Sequence, residues 1–166
     1  MKKALFLDRD GVINEDFGYV YKVDDFCFID DIFELCTHFQ ASGYKIIIIT
    51  NQSGVERGYY TKDDFYKLSE YMCDEFLKRG IKIDDIYASF GFDEDRKPSP
   101  NMLLKAAKKH SIDLENSIMI GDKLSDMQAG QNAGIKKLYL VGDKDQTQGN
   151  FYKIAKKYED IIKENL

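Results

Sequence analysis

An open α/β sheet, parallel and covered by helices on both faces, is expected from three features of these 166 residues. Apolar runs of strand length alternate with helical patterns along the chain. One run, Ile46-Ile47-Ile48-Ile49, is continuously apolar, as suits a strand buried on both faces. The conspicuous polar residues follow the apolar runs, and open α/β sheets bind ligands at the carboxyl ends of their strands. Such alternation implies right-handed βαβ units. The expectation is a Rossmann-like, doubly wound parallel sheet of about five strands, in a single domain spanning residues 1–166.

The elements follow in order. Lys3–Leu7 is an apolar strand that runs straight into Asp8-Arg9-Asp10-Gly11. Asn14–Asp31 is the longest irregular stretch, expected as a loop or hairpin near the first strand's active end. A helical pattern covers Ile32–Ala41, and a strand covers Tyr44–Thr50. Thr61 with Asp64 reads as a capping box for a helix over Lys62–Arg79. Ile86–Phe90 is the third strand. Ser99-Pro100 reads as an N-cap followed by proline at the first position of a helix over Pro100–His110. Ser117–Gly121, a helix over Ser125–Ala133, and Lys137–Val141 continue the alternation. Gly43, Gly80 and Gly134 stand just past predicted helix ends. A final helix is expected over Tyr152–Lys163. There is no internal repeat, low-complexity tract or linker.

Bulk properties bound the function. The hydrophobic share is 43% and the aromatic share 13%, ordinary for a globular chain with a sizeable core. A net charge of −5 argues against a dedicated nucleic-acid binder. No apolar stretch could span a bilayer, and the first apolar run is too short for a signal-peptide core, so no membrane partner and a cytoplasmic location are expected. Cys27, Cys36 and Cys73 are scattered, form no C-x-x-C, and have only His38 and His110 for company. They read as reduced thiols rather than a zinc site.

Four polar clusters converge on one rim. Side chains alternate along a strand, so Asp8 and Asp10 leave the first strand aimed the same way. A carboxylate pair there can hold a hard cation or divide the work of nucleophile and general acid–base. Thr50-Asn51-Gln52-Ser53-Gly54 follows the second strand, Arg96-Lys97-Pro98 the third, and Gly121-Asp122-Lys123-Leu124-Ser125-Asp126 the fourth. Carboxylates suit a metal; a hydroxyl, an amide and a lysine suit a phosphate. Each cluster alone could be only a turn or a cap. All four together, each after its strand, point to a site.

This pattern resembles the haloacid dehalogenase superfamily of phosphotransferases over nearly the whole chain. The matching positions are Asp8-Arg9-Asp10-Gly11, Thr50-Asn51, Lys97, and Gly121-Asp122 with Asp126. The resemblance implies that Asp8 is a nucleophile forming an aspartyl-phosphate. It implies that Asp10 protonates the leaving alcohol and then deprotonates water, as in the superfamily's phosphatases. Mg²⁺ would be held by the carboxylates of Asp8 and Asp122 and the backbone carbonyl of Asp10. Thr50 and Lys97 would grip the phosphoryl oxygens. Asp126 would support the metal site or cap a helix.

The intervals from Asp10 to Thr50 and from Asn51 to Arg96 are too short for a cap domain, so a capless, open site is expected. Asp16-Phe17-Gly18-Tyr19-Val20, Thr50 through Gly58, and Gly121 through Met127 are similar to the phosphatases of D-glycero-D-manno-heptose 1,7-bisphosphate, with histidinol-phosphate phosphatases as close relatives. That resemblance implies Gly18, Tyr19, Asn51, Gln52, Ser53, Arg96 and Lys123 as contacts for a phosphorylated sugar. Arg57 is either a further contact or an exposed loop arginine. Many of those phosphatases bind zinc in a Cys/His loop before the Arg-Lys pair. Here Ala88–Arg96 has no cysteine or histidine, and no zinc is expected. Asp93, Glu94 and Asp95 would disfavour a second phosphate if they faced the pocket, and would then favour a cationic substrate such as histidinol phosphate. A signalling receiver domain fits poorly, because the third strand leads to Phe90-Gly91-Phe92 rather than to an acceptor aspartate. A monomer is expected.

Overall fold

The computed structural model describes residues 1–142 and 149–166. Its strands are β1 (Ala4–Leu7), β2 (Lys45–Asn51), β3 (Asp85–Ser89), β4 (Ile118–Gly121), β5 (Lys137–Leu140) and β6 (Lys153–Ile154). Its helices are α1 (Ile32–Ala41), α2 (Lys62–Leu77), α3 (Asn101–His110), α4 (Leu124–Ala133) and α5 (Tyr158–Glu164). The strands form one sheet in the order β3-β2-β1-β4-β5-β6, and every pairing is parallel. This is the doubly wound order whose direction of winding reverses between β1 and β4. The carboxyl ends of those two strands deliver Asp8 and Asp122.

Alternation along the strands sorts the core into two layers. Leu5, Leu7, Ile46, Ile48, Ile118 and Ile120 face one side, against Leu35 and Phe39 of α1, Phe76 of α2 and Ile161 of α5. Ala4, Phe6, Ile47, Ile49 and Met119 face the other, against Met102 and Leu103 of α3 and Met127 of α4. Burial on both faces accounts for the unbroken isoleucine run. Removing most of such a side chain costs about 2–5 kcal/mol. No helix among the described residues is long and apolar enough to cross a membrane.

The five expected strands all form, within a residue or two of their expected ends. The Thr61–Asp64 capping box is present in both directions. Pro100 sits at the N-cap of α3 rather than one position inside it, and Ser99 Oγ accepts from the Asn101 N–H at 3.2 Å. The stretch Asn14–Asp31 makes an antiparallel bridge, Asn14 to Phe28, and a single 3₁₀ turn over Val23–Asp25.

The C-terminal helix is shorter than expected, and a sixth strand precedes it. Tyr152, Ala155 and Tyr158 recur every third residue, which satisfies a helical template. The same residues are buried by a strand followed by a helix. Lys153 and Ile154 pair with Tyr139 and Leu140, and the Ala155 N–H donates to the Leu140 carbonyl. Without β6, the edge of β5 would leave those backbone groups open.

At the other edge, Asp85 ties β3 to the end of α3. Its Oδ2 lies 2.7 Å from His110 Nε2 and 3.0 Å from Lys109 Nζ. Burial works against the carboxylate, but these partners and the Ile86 N–H outweigh it and hold its pKa at about 2. Folded Asp85 therefore ionises below its ordinary value of 3.8, so its stabilisation is complete above about pH 4 and disappears as pH falls through 2. At this partly open site we expect Asp85→Asn to lower the unfolding free energy by about 1 kcal/mol at pH 7. Urea denaturation between pH 7 and pH 3 should show the gap narrowing as the pH falls.

Candidate active site

One buried ammonium group organises the site. Lys97 Nζ donates to Asp8 Oδ1 at 3.1 Å and to the Ile49 carbonyl at 2.7 Å, and lies 2.6 Å from Asp126 Oδ1. Three strand ends thus meet on one side chain, with Asp8 after β1, Ile49 in β2 and Asp126 in the first turn of α4 after β4. Asp8, Asp122 and Asp126 bring carboxylate oxygens within 4.8 Å of one another, and all three residues are buried.

Charge does not balance there. Burial raises the pKa of Asp8 well above the ordinary carboxylate range, and Asp126 raises it further; Lys97 pulls the other way, and Asp122 and Asp10 add to the rise. Burial opposes the charge on Lys97, yet Asp126 and Asp8 outweigh it and hold that lysine firmly protonated. An oxygen-only cluster whose acids outnumber its buried lysine is suited to a hard divalent cation.

The backbone makes room for this packing. Gly11 turns the chain at φ +88°, and a Cβ there would lie 2.1 Å from Asp122 Oδ2. A Cβ on Gly121 would lie 2.2 Å from the Cβ of Asp126. Asp126 Oδ2 also accepts from the Lys123 N–H at 3.1 Å. Asp126 therefore caps α4, one of the two roles raised by the sequence, and also belongs to the acidic cluster.

Asp10 is held away from that cluster. Its Oδ1 accepts from Arg9 Nη2 and Asn14 Nδ2, each at 3.0 Å, and its Oδ2 accepts from Gln52 Nε2 at 2.9 Å. Gln52 Nε2 also donates to Thr50 Oγ1 at 2.8 Å, and the buried Tyr60 hydroxyl donates to Gln52 Oε1. Asn51 forms a reciprocal pair with the Lys97 backbone, through Nδ2 to the carbonyl at 3.2 Å and Oδ1 from the N–H at 3.0 Å. Asn51 and Gln52, expected as substrate contacts, thus have their amides turned largely to positioning Lys97 and Asp10.

A cavity of about 330 Å³ opens above these groups. Asp8, Asp10, Lys97 and Asp126 line it, and so do Gly18, Tyr19, Asn51, Gln52 and Ser53. Arg57, Arg96 and Lys123 bring positive charge to the rim, and Asp16, Tyr60 and Ser125 complete the lining. Thr50 is fully buried beneath the cavity, and Asp122 borders a neighbouring hollow behind the site. The acidic run faces elsewhere. Asp93 Oδ1 accepts from Ser89 Oγ and the Asp95 N–H, Asp95 pairs with Lys105, and none of Asp93, Glu94 and Asp95 lines the cavity.

Residues passed over in the sequence carry much of this support. Arg9 is only 2% exposed. It donates to Asp10 and to the Val20 carbonyl, with Phe26 and Phe65 rings within 6 Å of its guanidinium. Alternation could have found it, because the middle residue of D-x-D must point opposite to the two aspartates. Asn14 and Tyr60 gave no comparable signal.

The fold and the acidic cluster at its switch point define a haloacid dehalogenase (HAD)-type hydrolase. A family model described as HAD-hydrolase-like matches residues 95–160. A Campylobacter jejuni protein named D-glycero-alpha-D-manno-heptose-1,7-bisphosphate 7-phosphatase is 54% identical over 162 residues, covering 96% of this chain and 94% of that protein. A Helicobacter pylori protein, strain J99, named as the 7-phosphatase of the beta anomer, is 53% identical, covering 84% of this chain and 83% of its own. The solved structure of D,D-heptose 1,7-bisphosphate phosphatase from B. bronchiseptica, complexed with magnesium and phosphate, superposes with a TM-score of 0.87 at 24% identity, over 98% of this chain and 97% of that one. The chain belongs to the heptose-1,7-bisphosphate 7-phosphatase family of HAD-type hydrolases.

Lys97→Met isolates the role of the buried cation. Breaking a buried ion pair from one side costs about 3–5 kcal/mol. We expect a loss of that size at pH 7–8. It should shrink toward pH 5, because carboxylates left without a cation take up protons more readily when folded than when unfolded. Chemical denaturation across this pH range checks it.

Proposed function

We propose that the cavity hydrolyses the 7-phosphate of D-glycero-D-manno-heptose 1,7-bisphosphate, with Mg²⁺, through an aspartyl-phosphate. The observation that carries this reading is the division of charge in one cavity. Asp8, Asp10 and Lys97 lie beside Asp126, whereas Arg57, Arg96 and Lys123 offer a second anion-binding zone. A substrate with two phosphates meets both.

Among the described residues, Arg9 N–H and Lys97 Nζ both donate to Oδ1 of Asp8, which leaves Oδ2 to attack phosphorus. The bond from phosphorus to the C7 oxygen breaks, and Asp10 gives its proton to the departing oxygen. Asp10 then takes a proton from water. That water attacks phosphorus, the bond to Asp8 breaks, and inorganic phosphate leaves. Arg9, Asn14 and Gln52 hold Asp10 in place for both transfers. Lys97 offsets the repulsion between two anions. Asp8 and Asp122 would hold Mg²⁺ with the backbone carbonyl of Asp10, supported by Asp126. The cation, when bound, neutralises charge developing on the phosphoryl oxygens. An oxygen donor set favours Mg²⁺ over zinc.

Histidinol phosphate is the weaker candidate. Its amine would meet three cations and a single carboxylate, Asp16, among the outer lining residues, and Asp93 and Asp95 are bonded away from the cavity. We further propose that the chain is a single capless domain that acts as a monomer. The free cysteines suit a reducing cytoplasm.

The test is phosphate release from both anomers of the heptose bisphosphate, beside histidinol phosphate, with and without Mg²⁺. We expect Mg²⁺-dependent release from a heptose anomer. Asp8→Asn should abolish turnover, and Asp10→Asn should slow it by about 10²–10⁴-fold. Release from histidinol phosphate alone would overturn the substrate.

A further inference from the structure

We propose that Phe92 is a positioning residue that holds Arg57 and Arg96 as a pair for the substrate's second phosphate; this rests on the function proposed above. The two arginines come from different loops, after β2 and after β3. Both guanidinium groups lie over the ring of Phe92, Arg57 at 5.0 Å and Arg96 at 4.6 Å from its centroid. A ring face attracts cations, so it can hold two like charges that would otherwise repel. Both arginines line the cavity. Arg96 Nη1 is buried without a hydrogen-bond partner among the described residues, a charged donor available to an incoming anion.

The ring itself is 58% exposed, so core packing does not explain where it stands. A single exposed phenylalanine is ordinary. This one is fixed through its backbone. The Phe92 N–H donates to Glu56 Oε2 at 2.8 Å, and the Glu56 N–H donates to the Phe90 carbonyl at 3.0 Å. Gly91 permits this approach, since a Cβ there would lie 2.3 Å from Glu56 Oε2. Asp93, the next residue, is anchored by Ser89 Oγ at 2.8 Å. Glu56 precedes Arg57 directly, so one short ladder sets the ring and an arginine that it holds.

The experiment compares Phe92→Ala, Phe92→Leu and Phe92→Tyr with the parent enzyme. Two substrates are used, the heptose bisphosphate and p-nitrophenyl phosphate, which has no second phosphate. Losing two exposed cation–π contacts should raise KM for the bisphosphate roughly 5–30-fold in the Ala and Leu variants. Their kcat should change by less than about twofold, the signature of lost uniform binding. Turnover of p-nitrophenyl phosphate should stay within about twofold, and Phe92→Tyr, which keeps the ring face, should resemble the parent. If the parent hydrolyses the bisphosphate and Phe92→Leu matches it, or loses both substrates alike, the role of Phe92 is overturned. If the parent hydrolyses p-nitrophenyl phosphate but not the bisphosphate, the substrate reading fails and the role of Phe92 falls with it.

Discussion

The ion-pair cluster around Lys97 is the constraint on which the rest of the site depends. Its ammonium group is buried, and it touches groups delivered by β1, β2 and α4. A charge in that position is costly unless it is paired and hydrogen-bonded. Lys97 meets both conditions, with two carboxylates and a carbonyl. The same contacts lock the relative positions of Asp8 and Asp126, which would otherwise repel each other. The strand order makes the meeting possible, because β1 and β4 are neighbours where the winding reverses. Asn51 then fixes the backbone of Lys97 from β2, so the lysine is held at both ends. Phosphoryl transfer needs this kind of rigidity, since positioning and charge neutralisation supply most of its catalysis.

Much of this was legible in the sequence because it is written in short spacings. The apolar runs, with the isoleucine run of β2 among them, located the strands, and in an open α/β sheet strand ends locate the site. Asp8, Asp10, Lys97 and Asp126 line one cavity as expected. What the pattern hid is what two templates share. Tyr152, Ala155 and Tyr158 fit a helix as well as a strand and helix, and only the open edge of β5 decides between them. The support around Asp10 was hidden for a different reason. Arg9, Asn14, Gln52 and Tyr60 converge through tertiary contacts with no fixed spacing. Asn51 and Gln52 were visible as polar groups beside the site, but which way an amide turns is settled by its neighbours.

Charge runs pose the same difficulty more sharply. Asp93-Glu94-Asp95 stands immediately before Arg96-Lys97, so sequence proximity suggests acids in the pocket. Asp93 instead bonds to Ser89 of β3 and to the Asp95 N–H, and Asp95 pairs with Lys105 of α3. With that run outside the cavity, Arg57, Arg96 and Lys123 stand at the rim together with Asp16. Cations thus gather at the mouth of a chain whose net charge is −5. Local charge governs an anionic substrate far more than the net charge does, because exposed charges beyond roughly 8–10 Å are screened at physiological salt.

A cationic rim matters more here than it would in a closed site. With no cap to enclose the substrate, little apolar surface is available to hold a polar sugar, and the cavity is only about 330 Å³. Orientation must then come from a few directed contacts at both ends of the ligand. A phosphate is well suited to this, since it accepts paired hydrogen bonds from guanidinium groups. Binding energy from such a remote group can be used to align the reacting phosphate with Asp8 and Asp10. That use requires the arginines to be placed before the substrate arrives, because ordering two long side chains at the moment of binding would consume much of the gain. A ring held by its backbone beside the mouth and within reach of both guanidinium groups does that placing in advance.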